Sequence, residues 1–289
     1  MLRRIWISMR PVQWVKNFLI FAGLIFSQNF FSPSLLTKSL FAFALFCGIS
    51  SSVYILNDIL DLKNDKLHPV KSKRPLASGE LSVSSGLILS LVIGAISVVL
   101  SFLLQRNFGL IVVIYFFLNL LYSLYLKRVV ILDVMAVAAG FVLRAVAGAV
   151  VIQVTISSWL VVCTILLALF LGFSKRRHEL ILLENNAAGH RKILAEYSPY
   201  FLDQMIAVVT ASTVVAYAFY TLSPQVMEKL GTKYMDLTIP FVLYGIFRYL
   251  YLIHQKKEGG RPTRMLLTDK PILINILLWL VAVFLILYL

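Results

Sequence analysis

Nine long apolar stretches divide this chain, and they constrain its fold more than any other feature. They lie near residues 17–32, 37–57, 82–104, 107–126, 131–152, 157–174, 201–222, 236–254 and 270–288. About 20 apolar residues in a helix cross the ~30 Å hydrocarbon core of a bilayer. A helix also pairs its own backbone N–H and C=O groups, which find no water there. The sequence therefore predicts an all-α, polytopic membrane helical bundle of about nine transmembrane helices.

The composition agrees with a membrane protein, since 60% of the residues are hydrophobic and only 14% are charged. Soluble domains carry about a quarter charged residues. No linker or soluble domain interrupts the stretches, so we expect a single integral membrane domain over residues 1–289. Cys47 and Cys163 both lie in apolar stretches, and their spacing suggests neither a disulfide framework nor a zinc site.

The positive charges between the stretches predict an orientation. One set of connections carries 21 of the 27 Lys and Arg residues, and the other set carries four. Because positively charged connections stay cytoplasmic, we expect the N-terminus inside the cell and the C-terminus outside. The charged face would attract anionic lipid headgroups and phosphorylated substrates, and nucleic acid is not an expected partner. The connections near 58–81, 127–133 and 174–200 lie on this face, where aqueous chemistry can occur.

An acidic motif, Asn57-Asp58-x-x-Asp61-x-x-x-Asp65, follows the second apolar stretch. On a helix the three carboxylates fall at i, i+3 and i+7 and share one face. Three close negative charges repel one another unless a cation lies among them. Carboxylate and amide oxygens suit Mg²⁺, which usually shares the phosphate oxygens of a substrate. The motif therefore predicts a magnesium site for a pyrophosphate, and the alternative is a hydrated acidic helix end balanced by neighbouring lysines.

A basic loop follows the acidic motif. Its two prolines, Pro69 and Pro75, exclude a continuous helix, so we expect a shaped loop. Lys71 and Arg74 in this loop are placed to reach phosphate oxygens beside the metal. Solvated charge on the cytoplasmic face is the alternative explanation.

Ionisable residues lie at the junction between the fourth and fifth apolar stretches and inside the fifth. Tyr122 and Lys127 end the fourth stretch, and Asp133 opens the fifth. Arg144 follows 11 residues later, on nearly the same azimuth and about 16 Å deeper. An arginine inside a membrane is costly and normally faces a polar cavity or a partner. A buried ion pair or a snorkelling side chain is the alternative.

The end of the sixth stretch is mostly cationic and carries Lys175 and Arg176. A diphosphate clamped between two metal clusters would require a second acidic pair in this region. The cationic character instead suits a phosphomonoester that has no metal of its own, and positive-inside charge is again the alternative.

These motifs together resemble the UbiA-type intramembrane prenyltransferase superfamily. The acidic motif, Tyr122-x4-Lys127 and the nine inferred spans carry that resemblance. Within it, further segments resemble the decaprenyl-phosphate phosphoribosyltransferase group. These are Arg10-Pro11-x-Gln13-Trp14-x-Lys16-Asn17, residues 68–79, Leu132-Asp133-Val134, residues 140–148 and Lys175-Arg176.

The resemblance implies Mg²⁺-dependent transfer of a 5-phosphoribosyl group from phosphoribosyl pyrophosphate to a polyprenyl phosphate lipid, with release of pyrophosphate. It implies that Asp58, Asp61 and Asp65 hold the metal and that Lys127 acts with them in catalysis. The substrate-binding residues it implies are Gln13, Lys16, Asn17, Asn57, Lys71, Arg74, Tyr122, Asp133, Arg144, Lys175 and Arg176.

Two other functions stay open from the sequence. One is an aromatic-acceptor polyprenyltransferase that uses a polyprenyl diphosphate, and the other is a lipid-phosphate transporter with a magnesium-bridged site. We expect the chain in a bacterial plasma or inner membrane with its active site facing the cytoplasm. The oligomeric state is open, and a homo-oligomer is one possible form.

Overall fold

The computed structural model describes residues 2–67, 70–183, 192–256 and 262–289. Every regular element in these ranges is helical, which confirms the all-α prediction. The α-helices are α1 (Leu2–Met9), α2 (Phe21–Phe26), α3 (Pro33–Leu60), α4 (Leu62–Leu67), α5 (Val83–Leu104), α6 (Arg106–Leu124), α7 (Leu132–Val151), α8 (Ser158–Leu183), α9 (Pro199–Leu222), α10 (Pro224–Leu230), α11 (Ile239–His254), α12 (Pro262–Thr268) and α13 (Lys270–Tyr288). Short 3₁₀ segments cover Pro11–Ile20, Lys71–Lys73, Leu126–Arg128, Lys192–Glu196 and Tyr234–Thr238.

In these described ranges, eight helices are long and apolar enough to cross a membrane. They are α3, α5, α6, α7, α8, α9, α11 and α13, of which α6 and α11 are extended by adjoining 3₁₀ turns. The first predicted stretch, 17–32, differs, because its place is taken by a shorter apolar helix over Pro11–Phe26. Gln28 adopts a left-handed backbone conformation with φ 58°, which turns the chain before Pro33 begins α3.

Small residues bring the N-terminal 3₁₀ segment against α7. A Cβ atom at Gly148 of α7 would lie 1.9 Å from the carbonyl oxygen of Ile20, so only glycine fits there. Gly23 is similarly close to the backbone of Ala149. Small residues at membrane helix contacts allow backbones to approach closely. This packing places the polar residues of the N-terminal segment beside the polar face of α7.

The interior contains two main apolar clusters. One joins α3, α6, α7 and the N-terminal segment around Phe46, Phe108 and Tyr115. The other joins α8, α9 and α11 around Phe170, Leu202 and Tyr249. The outer faces of α5 and α13 expose large apolar side chains, as expected of surfaces that lipid covers.

Two of the predicted connections are partly helical. Helix α3 continues through Leu60, so Asn57 and Asp58 lie on its last turns. Helix α8 continues through Leu183, so Lys175 and Arg176 lie on a helix and not in a loop. No Gly or Pro interrupts residues 174–183, and ion pairs of Glu179 with Lys175 and Arg176 at helical spacing support the extension. Residues 68–69 and 184–191 of the predicted connections lie outside the described residues.

Candidate active site

Two acidic side chains of the predicted motif lie buried where α3 ends. Asp61 is the C-terminal cap of α3, and α4 begins directly after it. The backbone N–H of Asp65 still donates to the carbonyl of Asp61 at 2.8 Å, so the path of the chain stays nearly helical. Asp58 and Asp65 are 4% and 2% exposed, and they therefore face the interior at this end of the bundle.

Arginines from two other segments neutralise these carboxylates. Arg74 Nη1 donates to Asp58 Oδ1 at 2.9 Å and to Asp65 Oδ2 at 2.5 Å. Arg10, which has a left-handed backbone with φ 54°, also donates to Asp58. Lys71 Nζ lies 4.0 Å from Asp65 Oδ1. We call Asp58, Asp65, Arg10 and Arg74 the Asp58 cluster.

Asp61 and Asn57 turn toward the end of α6 and do not join this cluster. Lys127 Nζ donates to Asp61 Oδ1 at 2.6 Å, and the Ser123 hydroxyl donates to Asn57 Oδ1 at 3.0 Å. The prediction of three carboxylates on one helix face is therefore only partly met. Asn57 and Asp61 stand four residues apart and share the side of the chain that contacts the end of α6, whereas Asp58 and Asp65, seven residues apart, share the side that contacts Arg10 and Arg74.

The oxygen-only donor set of Asp58, Asp61, Asp65 and Asn57 fits Mg²⁺ by its chemistry. Across the described ranges, however, no three acidic, histidine or cysteine side chains are placed so that they could hold one ion together. The carboxylate oxygens face Arg10, Arg74 and Lys127 instead. The same oxygens would hold the metal only after these cations move aside.

A second ionic group lies between α7 and α8. Asp133 is fully buried and accepts from Arg176 Nε at 2.5 Å and from the Tyr197 hydroxyl at 2.8 Å. Arg176 also donates from Nη1 to Glu179 at 2.5 Å and from Nη2 to the Tyr122 hydroxyl at 3.3 Å. We call Asp133, Arg176, Glu179 and Tyr197 the Asp133 cluster. Its guanidinium is shared between two carboxylates.

Tyr197 holds the start of α7 as well as Asp133. The backbone N–H of Ile131 donates to the Tyr197 hydroxyl at 2.7 Å. Ile131 has φ 67° and ψ −46°, and the N–H of Leu132 donates to the carbonyl of Val130 at 2.7 Å. That geometry is a rare and strained γ-turn, especially for a β-branched residue. Burial raises the pKa of Tyr197 to about 12, so its hydroxyl stays protonated near neutral pH and can donate to Asp133.

A third group lies deeper, between the N-terminal segment and α7. Arg144 donates from Nε to Asn17 Oδ1, from Nη1 to the Gly140 carbonyl and from Nη2 to the Tyr115 hydroxyl, each at 2.7 Å. Lys16 Nζ lies 5.9 Å from the centre of the Phe141 ring. Lys16 lies near all three groups, since it interacts electrostatically with Arg144, Arg10 and Tyr122.

The structure thus distributes the predicted site residues over three neighbouring groups. The backbone N–H of Gln13 donates to the carbonyl of Arg10 at 2.8 Å, but its side chain contacts another residue, since its amide oxygen accepts from Thr263 at 3.5 Å. The first group includes Asn57, Asp58, Asp61, Asp65, Lys71, Arg74 and Lys127; the second includes Tyr122, Asp133, Lys175 and Arg176; the third includes Lys16, Asn17 and Arg144.

Sequence reasoning missed several polar residues of these groups, among them Glu179, which pairs with Arg176. Arg10 precedes Pro11 in a segment similar to known relatives, but no local spacing links it to Asp58. Tyr115 and Tyr197 lie among other aromatic residues, and nothing in the sequence distinguishes them. Their roles depend on contacts between helices that are far apart in the chain.

Comparison with known proteins agrees with this architecture. Residues 17–277 match the UbiA prenyltransferase family. The decaprenyl-phosphate phosphoribosyltransferase of Corynebacterium glutamicum is 31% identical over 97% of this chain and 86% of its own length. That of Mycolicibacterium smegmatis is 30% identical over 94% of this chain and 89% of its own.

A solved structure shares the fold. The UbiA homolog from Archaeoglobus fulgidus bound to GPP and Mg²⁺ superimposes with a TM-score of 0.73 at 18% identity, covering 99% of this chain and 100% of the other. The family match covers most of the residues, and the eight apolar helices agree with an integral membrane protein. This chain therefore belongs to the UbiA prenyltransferase family and is a membrane-embedded transferase.

Proposed function

We propose that this chain transfers a 5-phosphoribosyl group from phosphoribosyl pyrophosphate to a polyprenyl phosphate and releases pyrophosphate. The observation that carries the proposal is similarity over nearly the whole chain to relatives named decaprenyl-phosphate phosphoribosyltransferase. The fold by itself would not select this reaction, because related folds can support different substrates. The placement of carboxylates and cations supports it as follows.

The proposed donor site comprises the Asp58 cluster together with the neighbouring Asn57, Asp61 and Lys127. Asp58, Asp61 and Asp65, supported by Asn57, are the residues that would hold Mg²⁺. When bound, the metal supplies a positive charge that stabilises the oxygens of the departing diphosphate. Arg10, Arg74, Lys71 and Lys127 lie at the same carboxylates and supply further positive charge for the leaving group.

The proposed reaction is a displacement at the anomeric carbon of the ribose. The bond between this carbon and a diphosphate oxygen breaks, and its electron pair leaves with pyrophosphate. An oxygen of the polyprenyl phosphate forms the new bond. This oxygen is already anionic, so no strong general base is required. A direct displacement inverts the configuration of the anomeric carbon.

The acceptor phosphate is proposed to approach from the side of α8. Lys175 and Arg176 lie on this helix, and Arg176 contacts Tyr122 at the end of α6. The polyprenyl tail would leave sideways into lipid.

The same proposal sets the site on the cytoplasmic face, with the N-terminus inside the cell. Phosphoribosyl pyrophosphate is water-soluble and strongly anionic, so it requires an aqueous and basic approach. The excess of Lys and Arg in one set of connections supports this orientation.

A transfer assay tests the proposed function. Purified full-length protein receives phosphoribosyl pyrophosphate labelled in the ribose, a polyprenyl phosphate and Mg²⁺. We expect a labelled lipid, and no labelled lipid when a chelator removes the metal. Label that stays wholly water-soluble would contradict the proposal. Prenylation of an aromatic acid by a polyprenyl diphosphate, or movement of unaltered lipid phosphate across vesicles, would instead indicate one of the two other functions.

A further inference from the structure

Two basic side chains inside the bundle, Lys16 and Arg144, have no acidic counterion within ion-pair distance among the residues that the structure describes. Every Asp of the Asp58 and Asp133 clusters is instead paired with another cation. Both side chains lie beside the same aromatic ring, since the Arg144 guanidinium carbon and Lys16 Nζ lie 5.6 Å and 5.9 Å from the centre of the Phe141 ring.

Neutral groups fix Arg144 but leave part of it available. Its three hydrogen bonds to Asn17, Gly140 and Tyr115 use three of the five N–H donors of a guanidinium. Arg144 is 4% exposed, and its guanidinium carbon also lies 4.8 Å from the centre of the Tyr115 ring. The guanidinium is therefore held in one orientation with its full charge uncompensated.

Lys16 is held much less firmly. In the described ranges its ammonium makes no hydrogen bond or ion pair, and it has a cation–π contact with the Phe141 ring. The residue lies deep in the bundle yet remains partly accessible. Arg144 and Arg10 also repel a positively charged Lys16. An ammonium carries three donors and no acceptor, so it can donate to the oxygen of a ligand.

Unpaired like charges in a low-dielectric interior are costly. Packing alone does not explain why Lys16 and Arg144 lie inside the bundle without a counterion. A bound anion offsets this cost. A phosphomonoester suits the pair, since it carries up to two negative charges and several acceptor oxygens for the N–H groups of Lys16 and Arg144. No carboxylate of the described ranges forms an ion pair with Lys16 or Arg144, so the two are unsuited to a metal-held diphosphate.

We propose that Lys16 and Arg144 form a metal-independent site for a phosphomonoester group of a substrate. The identity of that group rests on the proposed function, which supplies two sources. One is the 5-phosphate of phosphoribosyl pyrophosphate, and the other is the phosphate of the polyprenyl lipid. In this proposal the Asp58 cluster binds the diphosphate that leaves, and Lys16 and Arg144 bind a phosphate that stays in the product.

Direct binding in the presence of a chelator tests this proposal. The full-length protein is titrated separately with labelled ribose 5-phosphate and with a labelled short-chain polyprenyl phosphate. We expect Lys16→Gln to weaken the binding of one probe by about tenfold or more, the loss typical of a charged hydrogen bond. Weaker binding of ribose 5-phosphate identifies the donor as the source, and weaker binding of the lipid identifies the acceptor.

The controls separate binding from folding. Lys16→Arg keeps the charge and is expected to retain most of the affinity. Lys229→Gln removes a lysine whose ammonium donates to Thr155 and belongs to none of the three ionic groups, and it is expected to leave both affinities unchanged. Arg144 also organises Asn17 and Tyr115, so its replacement endangers the fold and Lys16 carries the test.

Two results would overturn the proposal. One is a folded Lys16→Gln protein that binds both probes as tightly as the unaltered chain. The other is binding that requires Mg²⁺ and disappears in Asp58→Asn. The transfer assay is independent of this test, because phosphomonoester binding through Lys16 without any transfer to lipid would contradict the proposed function and leave this site intact.

Discussion

The Asp58 and Asp133 clusters use the same chemistry in different surroundings. Each pairs buried aspartate with arginine over short distances. In the Asp58 cluster the cations are accessible, because the Arg10 and Arg74 side chains are 23% and 27% exposed. In the Asp133 cluster the pair is sealed, with Arg176 at 4% and Asp133 at 0%.

The origin of the cations strengthens this contrast. Arg10 comes from the turn after α1 and Arg74 from the loop after the Lys71–Lys73 turn, so both can shift without moving a long helix. Arg176 lies within α8, and Tyr197 fixes its partner Asp133 from another side. Accessible ion pairs of this kind can therefore exchange a cation for a ligand, whereas sealed pairs hold helices together.

The largest expected effect comes from the Asp58 cluster. Asp58→Asn keeps the size of the side chain but removes a charge from the donor site. We expect the transfer rate to fall on the order of 10³-fold, the usual loss when a main electrostatic contact of the transition state is removed. Circular dichroism and size-exclusion chromatography are expected to show an unchanged fold. Substantial residual transfer by this variant would show that the cluster is not the donor site.

The Asp133 cluster is expected to respond through stability. Asp133→Asn leaves the buried Arg176 with Glu179 as its remaining carboxylate. Leaving a buried charge partly uncompensated lowers the free energy of unfolding by about 3 kcal/mol. Denaturant unfolding in mixed micelles measures this change. A variant of unaltered stability that loses all transfer activity would place Asp133 in the substrate site and remove the contrast between the clusters.

Lys175 provides a smaller test of the acceptor side. Its side chain is 42% exposed and lies 3.7 Å from Glu179. We expect Lys175→Ala to raise the KM for polyprenyl phosphate about threefold to tenfold, because an exposed cation contributes modestly to binding. The KM for phosphoribosyl pyrophosphate, measured in the same preparations, serves as the internal comparison. An increase confined to the donor would reverse the assignment of the two sides.

The exposed ion pair between Arg4 and Glu80 sets the lower limit of these effects. Its two side chains are 51% and 52% exposed and lie 3.3 Å apart. Pairs of this kind contribute about 0.5 kcal/mol or less. We expect Glu80→Gln to change neither transfer nor unfolding beyond that amount. A larger loss of transfer would extend the functional region to the loop that follows Arg74.

Features set by local sequence were predictable, and features set by distant contacts were not. Hydrophobicity along single stretches identified the eight long helices, but it could not show the left-handed turn at Gln28 that shortens the first stretch. The acidic motif was visible because its residues are close in the chain. The separation of Asp61 from Asp58 was hidden, because it depends on the contact of Asp61 with Lys127, which comes from the turn after α6.

The same distinction holds inside the bundle. Helical periodicity placed Arg144 on the face of Asp133 at a greater depth, which required no knowledge of neighbouring helices. Its partners Asn17 and Tyr115 come from the N-terminal segment and α6, and only three-dimensional packing brings them there.

Metal binding in the presence of substrate distinguishes the Asp58 cluster from the Asp133 cluster most directly. Mn²⁺ replaces Mg²⁺ as a paramagnetic probe, and electron paramagnetic resonance measures bound ion in the presence of phosphoribosyl pyrophosphate. We predict that the unaltered chain and Glu179→Gln, a variant of the Asp133 cluster, bind the ion with similar affinity and that Asp58→Asn loses it. Retention of the ion by Asp58→Asn together with its loss in Glu179→Gln would contradict the account.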